Sequence, residues 1–202
     1  MNLGFFASHN GSNMQAVIDA CKDGVLNATP VIVISNNGDA GAVERAKKEK
    51  IPYYVLNIKS HPSSDDLDNT MLDALLRHET ELIILAGYMK KIGEIILNTF
   101  RGKIINIHPA LLPKYGGKGM YGLNVHEAVL KAEEKETGVT IHIIDEDYDS
   151  GPIVAQTSLS IMESDNVESL SKRVLEREHS FLVETIGKIN SGEIDLENLK
   201  RL

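Results

Sequence analysis

The chain has 202 residues and 22.2 kDa, with 21 basic and 29 acidic side chains and a formal charge of −8. An apolar share of 42% and a charged share of 25% suit a globular domain with a sizeable core and exclude a disordered or low-complexity chain. The acidic balance, with a pI near 5.4, argues against nucleic-acid binding by phosphate neutralisation, and a single cysteine, Cys21, excludes an internal disulfide framework or a cysteine zinc cluster.

In chain order, short apolar runs rich in β-branched residues alternate with segments of helical period. Residues 3–7, 30–35, 53–56, 82–85 and 104–107 predict strands. Their near-continuous apolarity is that of strands covered on both faces in a parallel sheet. Between them, residues 13–23, 40–49, 64–78 and 89–99 predict helices. In the third, Leu67, Met71, Ala74, Leu75 and His78 share a face, and Ser63 or Ser64 serves as N-cap. Residues 108–124 form a loop with two prolines and four glycines, followed by a short helix over 125–132. Residues 137–144 and 153–160 predict strands joined by an acidic turn over 145–152, and residues 167–189 a last amphipathic helix. The tail, 190–202, is polar and expected to fray. The pattern predicts an α/β fold: a single domain built on a mostly parallel, doubly wound sheet of about seven strands. The opening residues have no basic stretch and turn polar by Ser8, so no secretory leader is expected. No apolar run approaches the ~18 residues of a membrane span.

Ligands of open parallel sheets bind beyond the carboxyl ends of the strands. The first such end reads Ala7-Ser8-His9-Asn10-Gly11-Ser12-Asn13 and runs straight into a helix. This reads equally as an anion cradle of backbone amides at a helix N-terminus or as a tight turn with Ser12 or Asn13 as N-cap. Gly117-Lys118-Gly119-Met120-Tyr121-Gly122 matches a dinucleotide spacing but follows a Pro/Gly loop rather than a strand. It reads as a mobile flap with Lys118 able to meet an anion. The fifth strand ends in Asn106-Ile107-His108-Pro109, and an i, i+2 pair on an extended strand shares one face. Asn is a neutral donor and His a titratable one, a pair suited to a carbonyl oxygen on which charge builds. The turn Asp145-Glu146-Asp147-Tyr148-Asp149 lacks the glycine and glutamate of a calcium loop. One of its carboxylates is a candidate partner for His108; spacing does not say which. His142, on an apolar strand, reads as a packed residue, and no histidine pattern calls for a metal.

Together these segments resemble the folate-dependent glycinamide ribonucleotide formyltransferases over nearly the whole chain. Asn10-Gly11-Ser12-Asn13 with Gln15-Ala16 is similar to the family's phosphate loop, and Leu85-Ala86-Gly87-Tyr88-Met89 to its folate segment. Asn106-Ile107-His108-Pro109 with Leu111-Leu112-Pro113 is similar to its signature. Asp149-Ser150-Gly151-Pro152 stands where the family carries a catalytic aspartate, and Arg173-Val174 with Glu178-His179 matches a late helix whose glutamate meets the ribose. Two departures stand out: the 115–124 loop is long and Gly-rich, with Asn124 where His is common, and Ser64 stands where arginine is common.

The resemblance implies transfer of a formyl group from 10-formyltetrahydrofolate, as cosubstrate and without metal, to the amine of glycinamide ribonucleotide. It implies Asn106, His108 and Asp149 as catalytic residues, with Asn106 stabilising the oxyanion and Asp149 raising the pKa of His108 so that it stays charged. It implies Gly11, Ser12, Asn13 and Glu178 for the ribonucleotide, and Tyr88, Met89, Lys90, Lys91, Ile92 and again Asn106 for the folate. Residues 1–107 would form a nucleotide-binding-like half and 108–202 a strand-rich half, with the folate site at their junction. Lys90, Lys114 or Lys118 would add local positive charge. A cytoplasmic monomer or weak homodimer is expected, with no nucleic acid or membrane partner. A deformylase would use a similar triad with water as acceptor; a methionyl-tRNA formyltransferase would call for a basic surface; a non-catalytic nucleotide-binding module would tolerate loss of all three catalytic residues.

Overall fold

The computed structural model describes residues 1–199. The hydrogen-bonded strand order is β3-β2-β1-β4-β5-β6-β7, a seven-stranded, mostly parallel sheet with helices, as the alternation of apolar runs predicts. Contacts divide the chain into two compact units, Met1–Ile105 and Asn106–Leu202, and β5 (Ile104–His108) contributes residues to each.

In the first unit, β1 (Asn2–Phe6) pairs in parallel with β2 (Thr29–Ser35) and β4 (Leu82–Leu85), and β2 with β3 (Tyr53–Val55). Leu3, Phe5, Phe6, Ile32, Ile34, Ile83 and Ile84 are fully buried, the consequence of strands covered on both faces. Helices α1 (Ser12–Lys22), α2 (Gly41–Glu49), α3 (Ser64–Arg77) and α4 (Glu94–Thr99) complete the unit. Ser63 caps α3 by accepting from the Asp66 amide.

One boundary departs from the periodic pattern. The helical period begins at Met89, yet α4 starts only at Glu94. Two side chains remote in sequence accept from amides of this stretch. Ser8 Oγ accepts from the Met89 N–H at 2.9 Å, and Asp68 Oδ2 accepts from the Ile95 N–H at 2.8 Å. Gly87, at φ +76°, turns the chain out of β4 first.

In the second unit, α5 (Leu123–Lys131) and α6 (Val167–Ser191) pack together, and α6 lies on the antiparallel pair β6 (Glu136–Ile143) and β7 (Ile153–Ser160). Val139, Ile141, Leu170, Val174, Leu182 and Ile186 form its core. Asn166 and Ser169 close a reciprocal capping box at the start of α6. Within the tail, residues 190 and 191 still belong to α6 and Leu196–Asn198 forms a 3₁₀ turn; residues 200–202 lie outside the described part. Among the described residues no helix is long and apolar enough to cross a membrane.

Candidate active site

Three side chains singled out in the sequence, Asn106, His108 and Asp149, come together at the carboxyl end of β5. The alternation of an extended strand puts Asn106 and His108 on one face. The segment after β5 is held by β6 and β7: Thr140 Oγ1 donates to the Ala110 carbonyl at 2.6 Å and accepts from the Leu112 amide at 3.1 Å. Gln156 Nε2 donates to the Leu112 carbonyl at 2.9 Å. That brings the Tyr115 carbonyl to His108, whose Nε2 donates to it at 2.8 Å. Gly116 then passes so close that a Cβ there would sit 2.5 Å from Leu112 and 3.2 Å from Asp149, and the Gly117 N–H donates to Asp149 Oδ2 at 2.8 Å.

Among the described residues, five other than glycine have positive φ. Lys50, Glu79 and Glu133 lie just past helix ends, whereas Tyr115 (+56°) and Asp149 (+55°) are the two that flank His108. Left-handed backbone is unfavourable for these residue types, and its concentration here marks the turns as held by the hydrogen bonds they make.

A carbonyl only accepts, so the bond to Tyr115 fixes the proton of a neutral His108 on Nε2 and leaves Nδ1 as a base. Nδ1 faces Asp149 Oδ2 at 3.7 Å. Burial pulls the His108 pKa below the ordinary imidazole range, and the Asp149 carboxylate and Tyr115 carbonyl, which pull upward, do not overcome it; nearby His142 lowers it further. This corrects the expectation that Asp149 keeps His108 charged: at 3% exposure the loss of hydration outweighs the carboxylate. Burial alone would raise Asp149, but His142, His108 and the Gly117 amide more than offset it and hold its carboxyl below the usual range. His126 on α5, also 3% exposed, is pushed down by burial and by the charge of His108.

His142 is packed, as its strand predicts, and it also touches this cluster. It is fully buried, with Nδ1 donating to the Ile143 carbonyl at 3.0 Å. Its Nε2 lies 3.1 Å from the Asn106 amide nitrogen and 3.4 Å from Asp149 Oδ1. The signal available in the sequence is a titratable ring between Ile141 and Ile143 of an apolar stretch. Among the described residues no group of three or more His, Cys, Asp or Glu side chains is arranged to hold a metal ion.

In the first unit, Gly11 rather than Ser12 or Asn13 is the N-cap of α1, at φ +70° and with no side-chain cap. A Cβ on Gly11 would stand 2.8 Å from that of Ala42, whose amide donates to the His9 carbonyl. Arg45 braces the same turn through the Asn10 carbonyl at 2.8 Å. The cap residue thus brings no side chain to the head of this eleven-residue helix, whose first turn holds Ser12 and Asn13. Tyr88 stacks edge-on against Phe6, and burial, with the charge of Asp68, pushes its hydroxyl up to about 12. Met89 is 37% exposed, Lys90 and Lys91 are exposed, and Ile92 is buried. In the second unit Glu178 is buried on α6, and Lys114 is paired with Glu134 at 2.9 Å, so its charge is already offset.

The chain matches the formyl transferase family over residues 1–186. It is 40% identical over 188 residues, 93% of its length, to the chloroplastic phosphoribosylglycinamide formyltransferase of Arabidopsis thaliana, and spans 64% of that relative. It is 36% identical over 192 residues to the phosphoribosylglycinamide formyltransferase of Bacillus subtilis, covering 93% of this chain and 96% of the other. Among solved structures, glycinamide ribonucleotide transformylase 1 from Symbiobacterium toebii superposes with a TM-score of 0.90 at 31% identity, covering 100% of this chain and 94% of that one.

Proposed function

This chain belongs to the formyl transferase family, and on that premise we propose that it transfers a formyl group from 10-formyltetrahydrofolate to the amine of N1-(5-phosphoribosyl)glycinamide, a step of purine synthesis. The observation that carries the reading is the cluster of Asn106, Asp149 and the buried His108 at the end of β5. The amide of Asn106, oriented by His142, donates to the formyl oxygen as negative charge builds there; one such donor is worth ~3–4 kcal/mol. His108, neutral at rest, takes the proton of the attacking amine on Nδ1, and Asp149 stabilises the imidazolium so formed. His108 then returns the proton to N10 as the old bond breaks. One C–N bond forms, one breaks, and one proton moves from amine to N10.

The residues of the first unit suit the two ligands. The backbone amides of Gly11, Ser12 and Asn13, at the head of α1, fit a phosphate. The non-helical backbone of residues 88–92 has peptide edges for a pterin, Met89 an apolar side chain, and Lys90 and Lys91 cations for the folate carboxylates. The folate supplies an activated formyl carbon on N10.

The test is to incubate the protein with 10-formyltetrahydrofolate, with and without the ribonucleotide, and follow tetrahydrofolate formation. Turnover is expected only with the ribonucleotide; equal turnover without it would make the protein a deformylase. Gly11→Val places a β-branched side chain at φ +70° and against Ala42. It is expected to weaken ribonucleotide binding by about tenfold or more in calorimetry and to leave folate affinity unchanged. Wild-type ribonucleotide affinity in this variant would remove the phosphate from Gly11.

A further inference from the structure

We propose that Ser8 is a positioning residue: its buried hydroxyl joins the nucleotide turn to the folate segment through a polar rail that crosses the carboxyl edge of the first unit's sheet. The rail has four members. Asn57 Nδ2 donates to the Asn36 carbonyl at 3.1 Å, Ser8 Oγ donates to Asn36 Oδ1 at 2.6 Å, and the Met89 N–H donates to Ser8 Oγ at 2.9 Å. These residues follow the ends of β3, β2, β1 and β4, and β3-β2-β1-β4 is the order of those strands in the sheet. One hydroxyl therefore ties three adjacent exits together, and a fourth is tied through Asn36.

The backbone at Ser8 strengthens the link. Beyond the end of β1, the Ala7 N–H donates to the Ile34 carbonyl and the Ser8 N–H to the Gly87 carbonyl, both at 3.1 Å. The Met89 N–H, two residues past the left-handed Gly87, has left the ladder and finds the Ser8 hydroxyl instead. Ser8 is 4% exposed, so water does not readily replace either bond. Residues 9–13 follow Ser8 directly and residues 89–92 follow its contact with Met89. Movement of the hydroxyl is thus movement of the folate segment relative to the nucleotide turn.

The proposal rests on the transfer reading for its kinetic consequence but not for its structural one. Ser8→Ala leaves the Met89 amide and Asn36 Oδ1 without their partner. At saturating ribonucleotide, KM for 10-formyltetrahydrofolate is expected to rise about tenfold or more while kcat stays within about threefold, because Ser8 touches no reacting atom. Ser8→Thr, which keeps the hydroxyl, is expected to restore KM. A role in stability alone would lower Tm and leave the KM-to-kcat split untouched. Independently of activity, amide exchange at Met89 is expected to quicken at least about tenfold in Ser8→Ala, with the β5 amides unchanged. A wild type without ribonucleotide-dependent transfer would defeat the transfer reading and leave the exchange measurement to decide. A wild-type folate KM in an active Ser8→Ala enzyme, or unchanged Met89 exchange, overturns the proposal.

Discussion

His108→Ala is expected to lower kcat by about 10²–10⁴-fold and to leave KM for both substrates within a few-fold, since it removes a proton carrier rather than a binding contact. The neutral resting state of His108 sets the form of the pH profile. The base is active when unprotonated, so kcat/KM is expected to fall on acidification with a midpoint below the ordinary imidazole range. The groups facing it are Asp149, His142 and His126, and only Asp149 favours its charged form. Stability follows the same sign. Because the folded pKa is depressed, the unfolded chain binds a proton first, so the contribution of His108 is full above its unfolded pKa of about 6.5 and is lost as pH falls through the folded value. Urea unfolding of wild type at a series of pH values from about 7 to 5 should show this slope, and His108→Ala should flatten it. A profile with its acid limb above about pH 6.5 would mean that the Asp149 carboxylate outweighs burial at His108.

Asp149→Asn carries the second large effect, an expected loss of about 10²–10³-fold in kcat. It keeps the shape that accepts from Gly117 but removes the charge that stabilises imidazolium in the transition state. Its diagnostic is a shift in the acid limb. Without the carboxylate, nothing but the Tyr115 carbonyl pulls the His108 pKa upward, so the limb moves to still lower pH while the plateau falls. Asp147→Asn, in the same turn and with no contact to His108, should leave plateau and limb unchanged. An NMR titration of His108 separates the two variants. If Asp147→Asn moved the His108 resonance and Asp149→Asn did not, the catalytic carboxylate would lie two residues upstream. Asp149 itself, held below the usual carboxyl range, stabilises the fold above its unfolded pKa of about 4 and loses that contribution as pH falls through the lower folded value.

Much of this protein is legible in its sequence because the signals are local. Near-continuous apolar runs such as residues 82–85 and 104–107 can be buried only in a covered sheet, and the helical periods between them leave few ways to connect it. The i, i+2 spacing of Asn106 and His108 fixes their shared face wherever the strand lies. Resemblance supplies Asp149, which spacing leaves among several carboxylates, and the structure brings its carboxylate to His108.

Three features depend on atoms far apart in the chain, and the tertiary structure alone decides them. Helix α4 begins at Glu94 instead of Met89: Ser8, 81 residues away, accepts from the Met89 amide, and Asp68, 27 residues away, accepts from the Ile95 amide in the first turn of α4. His142 reads as core from its strand, yet it orients Asn106, because β6 is the strand that pairs beside β5. The charge of His108 is the clearest case. A carboxylate partner raises a histidine pKa and burial lowers it, and local sequence announces the first without measuring the second. With His108 3% exposed and the carboxylate oxygen 3.7 Å away, dehydration outweighs the carboxylate and draws its pKa below the ordinary imidazole range.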